Sequence, residues 1–88
     1  MTNAEDRRYK ALAHPLRRAL LSALKEGDRT LAFLARETGA SPSRNANHLR
    51  LMTEAGLVRT RQQGRRRAYS LRREGLREMA AFLRGLSE

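Results

Sequence analysis

The stretch "SPSRNANHLRLMTEAGLV", residues 41 to 58, decides the fold. Ser41 is a residue type that caps helix N-termini, and Pro42 suits the first helical position because its fixed backbone angle already matches a helix. Gly56 is a stop signal at the other end. The sequence therefore predicts a helix over residues 42–55.

Turning this helix by about 100° per residue separates its side chains into two faces. Asn45, Leu49 and Met52 share the face that we expect to pack on the core, and His48 and Ala55 lie on its flank. The opposite face is polar and consists of Ser43, Arg44, Asn47, Arg50 and Glu54. Short or forked polar side chains near a helix N-terminus can reach base edges in the major groove of DNA. This face is therefore a candidate DNA surface, and the alternative is an ordinary solvated helix face.

Asn45 stands on the core face, where an amide needs hydrogen-bond partners if it is buried. Two alternatives follow: its side chain bonds a backbone group at the preceding turn, or it also contacts DNA. We expect His48 to be a packing or phosphate-contacting histidine, because neither Arg44 nor Met52 could share a metal ion with it.

A short helix directly before this stretch completes a helix-turn-helix. Thr30 caps "TLAFLARETG" and Gly39 ends it, so only "GAS" separates the two helices. Further upstream, the sequence predicts a polar helix over about residues 4–13 and a second helix that begins at Pro15 and ends at Gly27. In a helix-turn-helix the N-terminal part of the second helix enters the DNA groove, which favours a functional role for the polar face.

After Gly56 the hydrophobic period changes from helical spacing to alternation. The segments "LVRTRQQ" and "RRAYSL" flank a turn centred on Gly64, which predicts a β-hairpin, here called the wing. A last helix over about residues 73–86 carries an apolar stripe. The predicted order is helix, helix, helix, helix, hairpin, helix, a mainly α fold with a β-hairpin wing that is typical of a winged helix-turn-helix.

The charge of the chain favours a polyanionic partner, and double-stranded DNA is the first candidate. The sequence carries 19 basic and 9 acidic residues, a formal net charge of +10. Nearly all of the positive charge is arginine, whose planar fork suits bidentate contact with phosphate or guanine. Arginines cluster on the predicted wing, residues 59–67, and no acidic residue falls between Glu54 and Glu74. We expect this run to bind DNA backbone or the minor groove, and the alternative is a solvated face.

Length and composition exclude several classes of protein. The 88 residues form one domain, residues 1–88, because so short a chain rarely holds two hydrophobic cores. The absence of cysteine excludes disulfides, thiolate metal sites and thiol redox switches. No apolar run is long enough for a membrane span or a signal peptide, so we expect a cytoplasmic protein. The two histidines are isolated and the acidic residues scattered, so neither an enzyme nor a cofactor is expected.

Three motifs, in this order, resemble winged-helix repressors of the ArsR type over nearly the whole chain. The first is "LAHPLR", residues 12–17, at the start of the second helix. The second is "HLRLMTEAGLV", residues 48–58, at the end of the recognition helix. The third is "GRRRAYSL", residues 64–71, on the wing. The resemblance implies a homodimer that binds a roughly palindromic operator and represses transcription until a signal releases it.

The resemblance also implies that the first and last helices join the two subunits. The predicted interface residues are Tyr9, Leu12, Leu76, Met79, Phe82, Leu83 and Leu86. The alternative is that the apolar stripe of the last helix only covers the core of its own chain. The predicted DNA-contacting residues are Ser41, Ser43, Arg44, Asn45, Asn47, His48, Arg50, Arg65, Arg66 and Arg67.

The sequence departs from the metal-sensing members of this family at both familiar ligand sites. Those members carry cysteines in the third helix, or histidine and carboxylate ligands on the last helix, whereas neither helix here holds cysteine or histidine. We therefore expect no metal at these sites, and an effector, if there is one, is a small molecule, a partner protein, temperature or pH. Three functions stay open: a sequence-specific regulator, an architectural nucleic-acid binder without an operator, and a module that docks an acidic protein or RNA.

Overall fold

The computed structural model describes residues 3–88, so the first two residues of the predicted domain lie outside the described part of the chain. The elements are, in chain order, α1 (Ala4–Leu12), α2 (Pro15–Ala23), β1 (Arg29–Thr30), α3 (Leu31–Thr38), α4 (Pro42–Glu54), β2 (Val58–Gln63), β3 (Arg66–Leu71) and α5 (Arg73–Ser87). The predicted mainly α fold with a β-hairpin wing is confirmed. The molecule is elongated, with extents of 44 × 24 × 20 Å.

The strand β1 is absent from the sequence prediction. It is two residues long and pairs antiparallel with β3, Arg29 lying opposite Tyr69, so that the sheet has three strands in the order β1-β3-β2. Two residues cannot show the alternation by which a strand is detected in sequence, and this one forms because β3 has a free edge beside it. The predicted hairpin is confirmed, with Val58 opposite Leu71 at its base.

The helix α2 ends earlier than predicted. Its last helical residue is Ala23, whereas the predicted stop, Gly27, lies beyond it in a turn. The backbone hydrogen bonds tighten at this point, from Lys25 N–H to Ser22 O and then from Gly27 N–H to Leu24 O. The chain therefore leaves the helix through successive tight turns rather than through one glycine cap.

One hydrophobic core holds the helix-turn-helix against the base of the wing. The fully buried apolar side chains are Leu20, Leu24, Leu34, Leu49, Met52, Leu57 and Val58. They come from α2 and the turn directly after it, from α3 and α4, and from the segment that leads into β2 with its first residue. Burial of each contributes about 1.5–3 kcal/mol of transfer free energy. The outward face of α4 is therefore presented from a firmly packed support.

The helix α5 meets this core along its first half only. Gly75 is buried, and a Cβ there would lie 3.2 Å from the carbonyl oxygen of Gly56, so the absence of a side chain permits this close approach. Met79 is only 4% exposed and belongs to the core of its own chain, so its predicted place in a dimer interface is wrong. Tyr9, Leu12 and Leu76 are partly buried against the same core.

The second half of α5 leaves apolar side chains in solvent. Phe82 is 57% exposed, Leu83 53% and Leu86 70%. Phe82 also contacts Tyr9 of α1 edge to face, with ring centroids 6.2 Å apart. The apolar stripe is therefore divided, and only its C-terminal part is available to a partner.

Candidate nucleic-acid interface

The caps that the sequence predicts define both ends of α3 and the start of α4. The Thr30 hydroxyl accepts from the Phe33 N–H at 3.2 Å, and the Ser41 hydroxyl accepts from the Arg44 N–H at 3.1 Å. Gly39 ends α3 at a φ of 76°, a left-handed conformation that side chains with a Cβ rarely adopt. Gly39 and Ser41 therefore bound the short turn that joins the end of α3 to the start of α4.

Asn45 is a clamp of this turn and is fully buried. Its Nδ2 donates to the carbonyl oxygens of Ala40 at 3.0 Å and Ser41 at 2.8 Å. Its Oδ1 accepts from the Thr38 hydroxyl at 3.0 Å. The local-partner alternative is therefore correct, and the expectation that Asn45 contacts DNA is wrong, because its amide is satisfied inside the turn.

His48 is also an internal residue, 8% exposed. Its Nδ1 accepts from Arg17 Nε at 3.1 Å, and its ring lies 4.5 Å from that of His14. Burial lowers the pKa of His48 below its ordinary value of 6.5, and charge on His14, Arg17 and Arg44 lowers it further. His48 therefore takes the packing role, and its expected contact with DNA is corrected, because its ring is buried between α2 and α4.

The opposite face of α4 is exposed, as its periodicity predicts. Its solvent-facing side chains are Ser43, Arg44, Asn47, Arg50 and Glu54. Arg50 donates to the Asn47 Oδ1 at 2.9 Å and to the Glu54 carboxylate at 3.1 Å. Ser41 is exposed as well, although its hydroxyl already caps the helix. Five polar side chains thus stand clear of the core on one helix face.

This face of α4 and the wing line a single groove. The residues around it are Ala46, Asn47, Arg50, Thr53, Glu54, Thr60, Arg67 and Tyr69. The hydroxyls of Thr53 on α4 and Thr60 on β2 lie 3.3 Å apart and join its two walls. The polar face of α4 and the wing are therefore parts of one surface.

The wing arginines extend this surface to α3. Arg65, Arg66 and Arg67 are exposed, and together with Arg36 they line a second cleft beside the first turn of α3. Arg36 could not be predicted from sequence, because only the pairing of β1 with β3 brings α3 close to the wing. The wing is also less uniformly basic than its sequence indicates, since Arg61 forms an ion pair with Asp28 at 2.9 Å.

Within residues 3–88, no three histidine, cysteine, aspartate or glutamate side chains are grouped so that they could hold a metal ion. In the same part of the chain, no helix has both the length and the apolar composition that a membrane crossing requires. The chemistry of the described surface is that of arginine guanidinium, amide and hydroxyl groups, which suits phosphates and base edges.

Comparison with known proteins agrees with this architecture. Residues 12–61, more than half of the chain, match the model of a family described as a helix-turn-helix domain. The chain is 38% identical over 71 residues to the HTH-type transcriptional regulator Rv2034 of Mycobacterium tuberculosis. This match covers 81% of the chain and 66% of the relative, slightly less than two thirds of its length.

Solved structures reproduce the fold over nearly the whole chain. The crystal structure of an ArsR family transcriptional regulator matches with a TM-score of 0.88 at 28% identity, covering 97% of this chain and 93% of the other. The solution structure of a homodimeric winged helix-turn-helix DNA-binding domain from Mycobacterium bovis matches with a TM-score of 0.79 at 27% identity. That match covers 96% of this chain and 78% of the other, which is described as a possible ArsR-family transcriptional regulator.

Proposed function

Since this chain belongs to the ArsR-type winged helix-turn-helix family of DNA-binding transcriptional regulators, we propose that it is a homodimeric repressor with a specific operator. In this proposal α4 enters the major groove, and the wing contacts the backbone or the minor groove. Chromosomal DNA is the partner, so the cytoplasm is the proposed place of action.

The observation that carries the proposal is the groove shared by α4 and the wing, which Asn47, Arg50 and Arg67 line together. A helix that displays amide and guanidinium groups at its exposed face can contact base edges, while arginines beside it bind phosphates. The proposed contacts are Ser41, Ser43, Arg44, Asn47 and Arg50 from α4 and Arg65, Arg66 and Arg67 from the wing. We add Arg36 of α3 as a phosphate contact, because it lines the second cleft with the wing arginines.

A comparison of two single variants tests whether the protein recognises a specific DNA sequence through Asn47. Operators are first selected from random duplexes, and affinities for the operator and for random DNA are then measured over a range of salt concentrations. Asn47→Ala should cost about 1–3 kcal/mol on the operator and little on random DNA, because it removes a base contact. Arg66→Ala should weaken both duplexes alike and lower the salt slope by about 1, because it removes a phosphate contact.

Equal losses on both duplexes for Asn47→Ala would contradict base recognition by this residue. Recovery of no common motif would favour an architectural binder, and failure to bind any duplex at moderate salt would favour a docking module. The repressor role is tested separately with a reporter gene behind the selected operator. Expression should rise when the wild type is replaced by Asn47→Ala, whereas a fall would identify an activator.

The proposed dimer rests on the exposed apolar end of α5, formed by Phe82, Leu83 and Leu86. Large apolar side chains in solvent mark association surfaces, and two-fold pairing would set the two α4 helices about 34 Å apart, one turn of DNA. Sedimentation equilibrium should find a dimer for the wild type and for Ala81→Ser, an exposed control on the other side of the same helix. The double variant Phe82→Ser with Leu86→Ser should be monomeric, and a monomeric wild type would refute the dimer.

A further inference from the structure

The guanidinium of Arg50 lies between two neighbours on the exposed face of α4. Its Nη2 donates to Asn47 Oδ1 at 2.9 Å, and its Nη1 donates to Glu54 Oε1 at 3.1 Å. Residues three and four apart on a helix lie side by side, so this arrangement follows directly from the sequence spacing. Arginine carries only N–H donors, and the atom of Asn47 that faces it must therefore be the oxygen.

This contact determines what Asn47 offers to a base. A free asparagine matches adenine, because its oxygen accepts from the N6 amino group while its nitrogen donates to N7. Here Oδ1 already accepts from a cation. Its second lone pair remains, but an adenine amino group arriving there would lie beside the positive guanidinium. Within residues 3–88 the Nδ2 amino group donates to no protein acceptor, so Asn47 acts mainly as a donor.

We propose that Asn47 and Arg50 form one donor unit that selects guanine, and that Glu54 positions Arg50 within it. This inference rests on the proposed function, since it requires α4 to lie in the major groove. Guanine presents two acceptors, N7 and O6, with no donor between them, and it therefore fits a pair of side chains that only donate. Adenine places an amino group next to N7, where it would face the N–H groups of Arg50.

Glu54 is a positioning residue, because it holds Arg50 without approaching the bases itself. It lies one helical turn beyond Arg50, towards the C-terminal end of α4. The pair is exposed, with side-chain exposures of 60% for Arg50 and 53% for Glu54, so a DNA phosphate competes with Glu54 for the guanidinium. Arg67 lines the same groove and supplies a separate cation for the backbone, which leaves Arg50 free to act beside Asn47.

The test is operator selection from random duplexes by the wild type and by single variants. Asn47→Ala locates the base pair that Asn47 contacts, because the preference there should vanish. At that pair the wild type should favour guanine over adenine by about tenfold. Arg50→Ala should reduce this ratio to about threefold or less, because Oδ1 is then free to accept from adenine. Glu54→Ala should also lower the ratio of guanine to adenine. Glu54→Gln should retain most of the wild-type ratio, because its side chain keeps an oxygen that accepts from Arg50.

Arg66→Ala is the matched control, since it removes the same charge without touching Asn47 and should lower affinity while keeping the guanine preference. Circular dichroism checks that each variant is folded. A wild-type motif with adenine at the base pair that Asn47 contacts would overturn the inference. It would also fail if Arg50→Ala weakened all sequences alike and kept the guanine preference, which would make Arg50 a phosphate contact. In both cases a recovered motif leaves the proposed function standing, whereas a wild type that selects no motif refutes both.

Discussion

Replacing Asn45 by alanine should destabilise the protein far more than replacing Asn47, although both are asparagines on α4. Asn45 is fully buried, and its amide bonds the carbonyl oxygens of Ala40 and Ser41 and the hydroxyl of Thr38. Asn47 is exposed, and its only described side-chain partner is Arg50. The two substitutions therefore remove the same atoms from opposite environments.

The magnitude follows from the contacts that are lost. A neutral intramolecular hydrogen bond contributes about 0.5–1.5 kcal/mol, and a buried group left without a partner costs about 1–3 kcal/mol. Some partners keep an alternative: Ser41 O also accepts from the Asn45 backbone N–H at 3.0 Å, and the Thr38 hydroxyl lies 3.5 Å from Ala35 O. We therefore expect a loss of about 2–4 kcal/mol, a large part of the roughly 5–15 kcal/mol typical of a domain. The melting temperature should fall by about 10–25 °C.

Thermal and urea unfolding followed by far-ultraviolet circular dichroism measure this difference. Protein concentration must be held constant, because the stability of a dimer depends on it. Asn47→Ala should change the free energy of unfolding by less than about 0.5 kcal/mol. Asn45→Asp should be at least as harmful as Asn45→Ala, because a carboxylate would face two carbonyl oxygens. Equal stability of Asn45→Ala and Asn47→Ala would refute the clamp.

Four further predictions concern other parts of the chain. The pKa of His48 in the folded state lies below its ordinary value of 6.5. Its contribution to the free energy of unfolding is therefore complete above about pH 6.5 and is lost as the pH falls through the folded pKa. The melting temperature of the wild type should fall over this pH range, and His48→Gln should make that fall less steep. Gly85→Ala should raise the free energy of unfolding by about 0.5–1 kcal/mol, because its Cβ would meet open space. Gly75→Ala should be less stable than Gly85→Ala, because its Cβ would press on Gly56 O at 3.2 Å, and equal effects in urea titrations would contradict this packing. Arg36→Ala should weaken binding to operator and random duplexes alike, and an unchanged salt slope would remove it from the interface.

The two faces of α4 could be predicted from sequence because helical periodicity alone separates them. Ser43, Asn47 and Arg50 are exposed, and Leu49 and Met52 are fully buried, as the winding requires. The fate of an inward-facing polar residue depends on atoms that periodicity does not describe. Ala40 O and the Thr38 hydroxyl reach Asn45 only through the geometry of the turn, so its two alternatives could not be separated before the structure.

Contacts across the sheet could not be predicted from sequence, because they join residues that are far apart along the chain. The strand β1 exists through its pairing with β3, and the same pairing brings Arg36 beside the wing. The ion pair between Asp28 and Arg61 likewise joins residues 33 positions apart. A charge run that contains no acid in sequence can therefore acquire one in space, and the charge available to DNA is lower than the sequence count suggests.

The apolar stripe of α5 shows where helical spacing becomes ambiguous. Met79 and Leu86 lie on the same stripe, yet one is 4% exposed and the other 70%. Spacing indicates that a stripe meets something apolar, but it does not indicate whether that surface belongs to the same chain. The answer depends on where the core ends, which is a property of the packed domain.

The alternation of inward and outward residues along α4 couples stability to DNA recognition. Asn45 and His48 tie the helix to the turn and to α2, while Arg44 and Asn47, each one position earlier, point to solvent. The helix cannot rotate to move Asn47 without breaking the bonds of Asn45. The buried amide therefore fixes the orientation of the exposed one, and less conformational freedom remains to be lost when the helix enters a groove. In this way a residue that never touches DNA sets the geometry of those proposed to contact it.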